Sequence, residues 1–151
     1  MKHFHFPLRP IAILRAHHEM RAREAFSAAV YAFTVAEQQL AAARARVRDL
    51  AGALTAARRE RVSGQRQCEA LAAFRSECAV EAAAAEGVRA AQAAMDARRC
   101  EYVDAHRKLE VVRRLEEKAY AAHRQAVMRE EQAEFDEFAT QRFGRHFLNS
   151  A

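Results

Sequence analysis

The chain has 151 residues, a net charge of +5 and a sequence pI of about 9.6. About a quarter of the residues are Ala, and there are only four Gly, two Pro and no Trp. This composition excludes a large compact core and favours long helices joined by a thin apolar seam. Charges of both signs alternate along the chain, which is typical of a solvated helix face.

The first predicted helix covers about residues 8–62. Pro7 and Pro10 are the only prolines, and proline is tolerated in the first turn of a helix. Farther along, apolar residues follow one another at alternating spacings of three and four, which is the heptad pattern of a left-handed coiled coil. These seam residues are Phe26, Ala29, Phe33, Ala36, Leu40, Ala43, Val47, Leu50, Leu54 and Ala57.

A turn is predicted at about residues 63–66, where Ser63 and Gly64 form the strongest break in the pattern. The second predicted helix follows over about residues 67–143. Because this helix is the longer one, we expect its excess, about residues 67–86, to form a short helical piece near the tip. Gly87 would allow a bend at the end of that piece.

The second helix carries a matching but less regular seam. Arg98 occupies one seam position, and beyond Val112 the alanines alternate with Glu116, His123 and Glu130. Polar residues at seam positions weaken the pairing and often fix its register. The seam residues are Val88, Ala91, Met95, Arg98, Tyr102, Ala105, Leu109 and Val112, followed by Ala119, Ala126 and Ala133.

One short connector between two long helices places them antiparallel. The predicted fold is therefore all-α, an antiparallel two-helix coiled-coil hairpin with a short helical piece near the tip. It would form a single elongated domain over residues 1–151. A parallel dimer through the same heptads is the competing arrangement.

The sequence predicts a protein that acts by contact, with no catalytic, cofactor-binding or metal-binding residues. Cys68, Cys78 and Cys100 match neither a zinc motif nor a disulfide framework, which suits a reducing compartment. The arginines of residues 44–61 could contact phosphates. They spread around the helix, however, and no base-stacking aromatic residues lie among them, so nucleic acid is not expected as a partner.

Two groups of apolar residues are candidate contact surfaces. Leu71, Phe74 and Cys78 share one helix face just after the turn, where they either dock on a partner or fold back near Leu50 and Leu54. Phenylalanines near the C-terminal end are expected to meet apolar residues of the N-terminal end. The former are Phe135, Phe138, Phe143 and Phe147, and the latter are Phe4, Phe6, Leu8, Ile11 and Leu14.

Several motifs of the chain occur together in one known family. The chain opens with Phe4-x-Phe6-x-Leu8-x-x-Ile11-x-x-Leu14-Arg15, and the first helix contains Ala36-Glu37-Gln38-Gln39-Leu40. The Ser63-Gly64 break is followed by Leu71-x-x-Phe74, and the C-terminal block reads Glu131-Gln132-x-x-x-Asp136-Glu137-Phe138-Ala139-x-x-Arg142. In these motifs and in its length, the chain resembles the FliJ family of bacterial flagellar export proteins over nearly its whole length.

The resemblance implies a coiled coil similar to the central stalk of rotary ATPases. The paired helix ends would insert into the flagellar export ATPase hexamer, and the other partners would be the cytoplasmic domain of the export gate protein and export chaperones. Carried over by position, the ATPase-facing residues are Gln132, Asp136, Glu137, Phe138 and Arg142. The gate-facing residues are Leu71, Phe74 and Cys78.

The chain departs from the family at Ala43 and Arg46, where larger apolar residues are expected, so the extent of the gate-binding surface stays open. The resemblance implies a cytoplasmic protein, peripheral at the inner-membrane export apparatus. No apolar run reaches the roughly 18 residues that a membrane-spanning helix needs, so no direct membrane insertion is expected. The alternatives are the stalk of a non-flagellar type III secretion system and a general coiled-coil adaptor.

Overall fold

The computed structural model describes residues 3–59 and 63–148, with side chains as far as residue 142. It contains two α-helices, α1 (Arg9–Ala57) and α2 (Gly64–Leu148), and the described residues form no strand. The helices pack against each other as a helical hairpin, which confirms the predicted fold class. The chain divides into unit 1, which holds Met1–His18 and Ala105–Ala151, and unit 2, which holds Glu19–Asp104.

In unit 2 the predicted seam of α1 is the face that packs against α2. Every predicted seam residue from Phe26 to Ala57 is buried or half-buried, whereas the described Arg and Glu residues between them are exposed. Ala43 is the most enclosed, with 1% of its surface exposed. A methyl side chain at this position lets the two helices approach closely.

Cross-helix contacts in unit 2 show the antiparallel direction. The ring of Phe26 stacks on that of Tyr102, with centroids 6.0 Å apart and planes 7° from parallel. Farther along α1, Arg46 Nε donates a hydrogen bond of 2.9 Å to an oxygen of Glu77, which lies earlier in α2. The aromatic stack and the ion pair therefore show the register of the two helices.

Backbone hydrogen bonds define the end of α1 and the start of α2. At the end of α1, Arg58 N–H donates to Leu54 O at 3.2 Å and Arg59 N–H donates to Ala56 O at 3.0 Å. The second bond spans three residues and tightens the last turn. Gln67 N–H donates to Ser63 O at 3.2 Å, so α2 already starts within the predicted turn.

The extra length of α2 lies in unit 1 and not beside the connection. In unit 2 the helices contribute similar lengths, residues 19–57 and 64–104, whereas in unit 1 residues 3–18 accompany an α2 that continues to Leu148. The expectation of a separate helical piece at residues 67–86 is therefore wrong. This stretch is an uninterrupted part of α2, and the pairing of Glu77 with Arg46 holds it on α1.

The core of unit 1 is small and includes the N-terminal segment. Leu109 and Val112, both predicted seam residues, are 4% and 8% exposed. Phe6, from the segment before α1, is 6% exposed. These three are therefore the buried apolar residues among the described residues of this unit.

Candidate partner-binding surfaces

The C-terminal part of α2 is a helix whose side chains are exposed. All residues from 128 to 142 are exposed, including Phe135 at 73% and Phe138 at 64%. An isolated helix is marginal in water, and this one is supported by helix-forming Ala, Glu and Gln. Exposed phenylalanines on such a segment indicate a surface for another protein.

The predicted ATPase-facing residues lie on this segment but are spread around the helix. Gln132 and Asp136 are one turn apart and line a shallow groove together with Met128, Arg129 and Ala133. At about 100° per residue, position 138 lies about 160° around the helix from position 136, and position 137 lies about 100° from each of them. Position 142 lies about 80° from position 132, and position 135 lies about 60° from position 132. The structure therefore does not bring the five predicted residues together on a single face.

Two hydrogen bonds near the predicted ATPase-facing residues join neighbours within the helix. Glu137 accepts a hydrogen bond of 3.4 Å from Gln141 Nε2, and the hydroxyl of Thr140 donates to Asp136 O at 2.7 Å. Both contacts join residues four apart. They leave the Asp136 carboxylate and the Phe138 ring facing solvent.

The N-terminal segment contacts α2 through aromatic residues other than the expected ones. Phe4 meets Tyr120 edge to face, with centroids 5.3 Å apart and planes at 81°, and lies 5.5 Å from the ring of His123. The expectation that Phe4 meets Phe135 and Phe138 is wrong, because those side chains are exposed. Phe143 and Phe147 lie outside the described side chains.

A groove of about 620 Å³ lies in unit 1 beside the contact of Phe4 with Tyr120. It is larger than the groove that Gln132 and Asp136 line. Phe4 and Tyr120 form its apolar part, and Glu130, Glu131 and Glu134 form its acidic part. Sequence reasoning did not select Tyr120. The sequence did contain a signal for Tyr120, because it lies one turn before His123. His123 is one of the polar residues that alternate with alanines in the predicted seam.

The predicted gate-facing residues share one stretch of α2 in unit 2. Leu71 is 38% exposed, whereas Phe74 and Cys78 are half-buried. Leu71 and Leu54 of α1 line the same cleft, so Leu71 lies partly against the first helix. The surface is therefore divided between intramolecular packing and solvent.

The two departures from the family pattern have structural explanations. Ala43 lies at the tightest point of the seam, where a larger side chain would push the helices apart. Arg46 is half-exposed and pairs with Glu77 one turn after Phe74, so it borders the predicted gate-facing surface with a charge.

Within residues 3–59 and 63–148, no cluster of three or more His, Cys, Asp or Glu side chains could hold a metal ion. The two helices, over their described residues, contain no window long and apolar enough to cross a membrane.

Comparison with known proteins gives one match. The model of the family described as "Flagellar FliJ protein" matches residues 4–147. Searches of curated proteins and of solved structures gave no match. The family match includes the aromatic N-terminal segment, both helices and the exposed C-terminal part of α2. The chain therefore belongs to the FliJ family of flagellar proteins.

Proposed function

We propose that the chain acts as the central stalk of the flagellar export ATPase ring, which it enters with the C-terminal part of α2. Membership of the FliJ family gives it a role related to flagellar export as a non-catalytic component. The main support for the stalk proposal is that every residue from 128 to 142 is exposed.

Exposure on all sides suits a partner that surrounds the helix. Asp136 and Phe138 lie about 160° apart around the helix, so they face nearly opposite directions. A one-sided groove on a partner would use only one of these faces, whereas the lumen of a ring can contact both. Carboxylates at 131, 134, 136 and 137 would interact with cationic groups of such a lumen.

The turn end of the hairpin is proposed to meet the cytoplasmic domain of the export gate protein through Leu71, Phe74 and Cys78. The support is the partial exposure of an apolar helix face near the connection. The proposal also includes escort of export chaperones and a peripheral position at the inner-membrane export apparatus. These follow from the family resemblance and not from a particular contact.

A binding assay with the purified flagellar export ATPase of the same organism tests the stalk proposal. Phe138→Ala and Asp136→Ala remove one contact from each face, and each is expected to weaken binding roughly tenfold if it is a central contact. Tyr31→Ala and Asp96→Ala are matched controls on exposed positions of unit 2. They are expected to bind as the unmodified chain does.

Two outcomes would count against the proposal. If the chain neither binds the ATPase nor stimulates its hydrolysis at stoichiometric amounts, the stalk function is wrong. If only one of the two faces matters, the segment docks in a one-sided groove and is not surrounded by a ring.

A further inference from the structure

An apolar cleft with an arginine on each side lies at the turn end of unit 2. Leu54 and Ala57 of α1 and Ala70 and Leu71 of α2 provide its apolar walls. Its volume is about 150 Å³. A cavity of about this size in an apolar protein core holds a benzene molecule, so the cleft can accept one bulky apolar side chain.

The arginines that line the cleft are Arg58, just after α1, and Arg66, in the first turn of α2. Both are exposed, and neither forms an ion pair with a described residue. By contrast, Arg44 and Arg46 of the same unit pair across the hairpin with Glu81 and Glu77. Among the described residues, the two cations of the cleft therefore have no carboxylate partner.

The position of Arg66 is unfavourable for the isolated chain. The N-terminal end of a helix carries partial positive charge and prefers carboxylates, yet the first turn of α2 contains no acidic residue. An anionic group bound there would interact with Arg66, with Arg58 and with the free N–H groups at the start of α2. Charge complementarity therefore specifies an acidic occupant.

We infer that this cleft binds an acidic segment of a partner protein, which inserts one aromatic or leucine side chain between Leu54 and Leu71. Its carboxylates pair with Arg58 and Arg66. The inference rests on the proposed function only in that the partner expected at the gate-facing end is the export gate protein. To that expectation it adds the chemistry of the partner's segment. Nucleic acid is the less favoured occupant because no aromatic side chain lines the cleft to stack on a base.

Fluorescence anisotropy with the full chain tests this inference. The probe is a short labelled peptide with several Glu around one Phe, and the matched control peptide has Gln in place of each Glu. We expect binding that weakens as salt is raised, and no binding of the Gln peptide. The double variant Arg58→Glu/Arg66→Glu is expected to weaken binding at least roughly tenfold.

The control variant Arg99→Glu changes an exposed arginine of unit 2 that also lacks an ion pair among the described residues. It should leave peptide binding unchanged, whereas Leu71→Ala should weaken it through loss of the apolar wall. Equal loss in Arg99→Glu and in the double variant would overturn the inference. So would binding of a single-stranded oligonucleotide, but not the peptide, through Arg58 and Arg66.

Capture of the export gate's cytoplasmic domain separates this inference from the proposed function. If the peptide binds as expected but the gate domain is not captured, the cleft inference stands and the gate-facing proposal fails. If the gate domain is captured equally by the double variant and the peptide does not bind, the gate-facing proposal stands and the cleft inference fails.

Discussion

Replacement of Leu109 by Ala tests the small core of unit 1. Leu109 is 4% exposed, so nearly all of the roughly 1.5–3 kcal/mol gained by burying a leucine applies to it. Core Leu→Ala changes cost about 2–5 kcal/mol once the cavity is included. Because a two-helix seam can close around a smaller side chain, we expect a loss of about 2–3 kcal/mol in the free energy of unfolding.

Leu115→Ala is the matched control on the same helix. Leu115 is 44% exposed, so the change removes less buried area, and we expect a loss of about 1 kcal/mol or less. Urea denaturation of each variant, followed by far-UV circular dichroism, measures both losses. A Leu109→Ala loss no larger than that of Leu115→Ala would refute the packing of unit 1 described above.

Two further predictions concern the helices. Gly87 lies inside α2, and no atom lies within 4 Å of an added Cβ, so Gly87→Ala should stabilise the chain by about 1 kcal/mol. In thermal unfolding, the midpoint of Gly87→Ala should be higher than that of the control variant Gly64→Ala, which changes the first residue of α2. A midpoint of Gly87→Ala below that of the unmodified chain would contradict this reasoning. The ion pair of Arg46 and Glu77 has side chains 51% and 30% exposed, so a double-mutant cycle should give a coupling below about 1 kcal/mol that weakens with salt. A larger coupling that salt leaves unchanged would show a pair shielded from solvent.

The seam of α1 was predictable from the sequence because its spacing is regular. From Phe26 to Ala57 an apolar residue follows at every third or fourth position, and all of these residues prove buried or half-buried. Ala43 shows why size matters less than periodicity at such positions. A small side chain with the correct spacing became the most enclosed residue of the seam.

The position of the extra length of α2 was not predictable in the same way. Arg98 at a seam position gave the second helix an irregular pattern, so its register against α1 was open. The register depends on cross-helix contacts such as Arg46 with Glu77 and Phe26 with Tyr102. A heptad pattern alone does not identify which residues across the hairpin make these contacts.

The contacts of the N-terminal segment could not be predicted from the sequence, for a different reason. Phe4 lies before α1 in a stretch without regular secondary structure, so no spacing rule links it to Tyr120 or His123. The opposite placement of Asp136 and Phe138 follows from helix geometry once α2 is known to be continuous there. The roles of these two residues in binding remain predictions.

Hydrogen exchange of the backbone amides tests the central claim, that the exposed part of α2 is the ATPase-binding end. In the free chain, amides of residues 128–142 should exchange faster than those of residues 102–112, which include the buried Leu109 and Val112. Addition of the flagellar export ATPase should slow exchange in residues 128–142 and leave residues 88–102 unchanged. Slowed exchange only outside residues 128–142, or no change at saturating ATPase, would contradict the account.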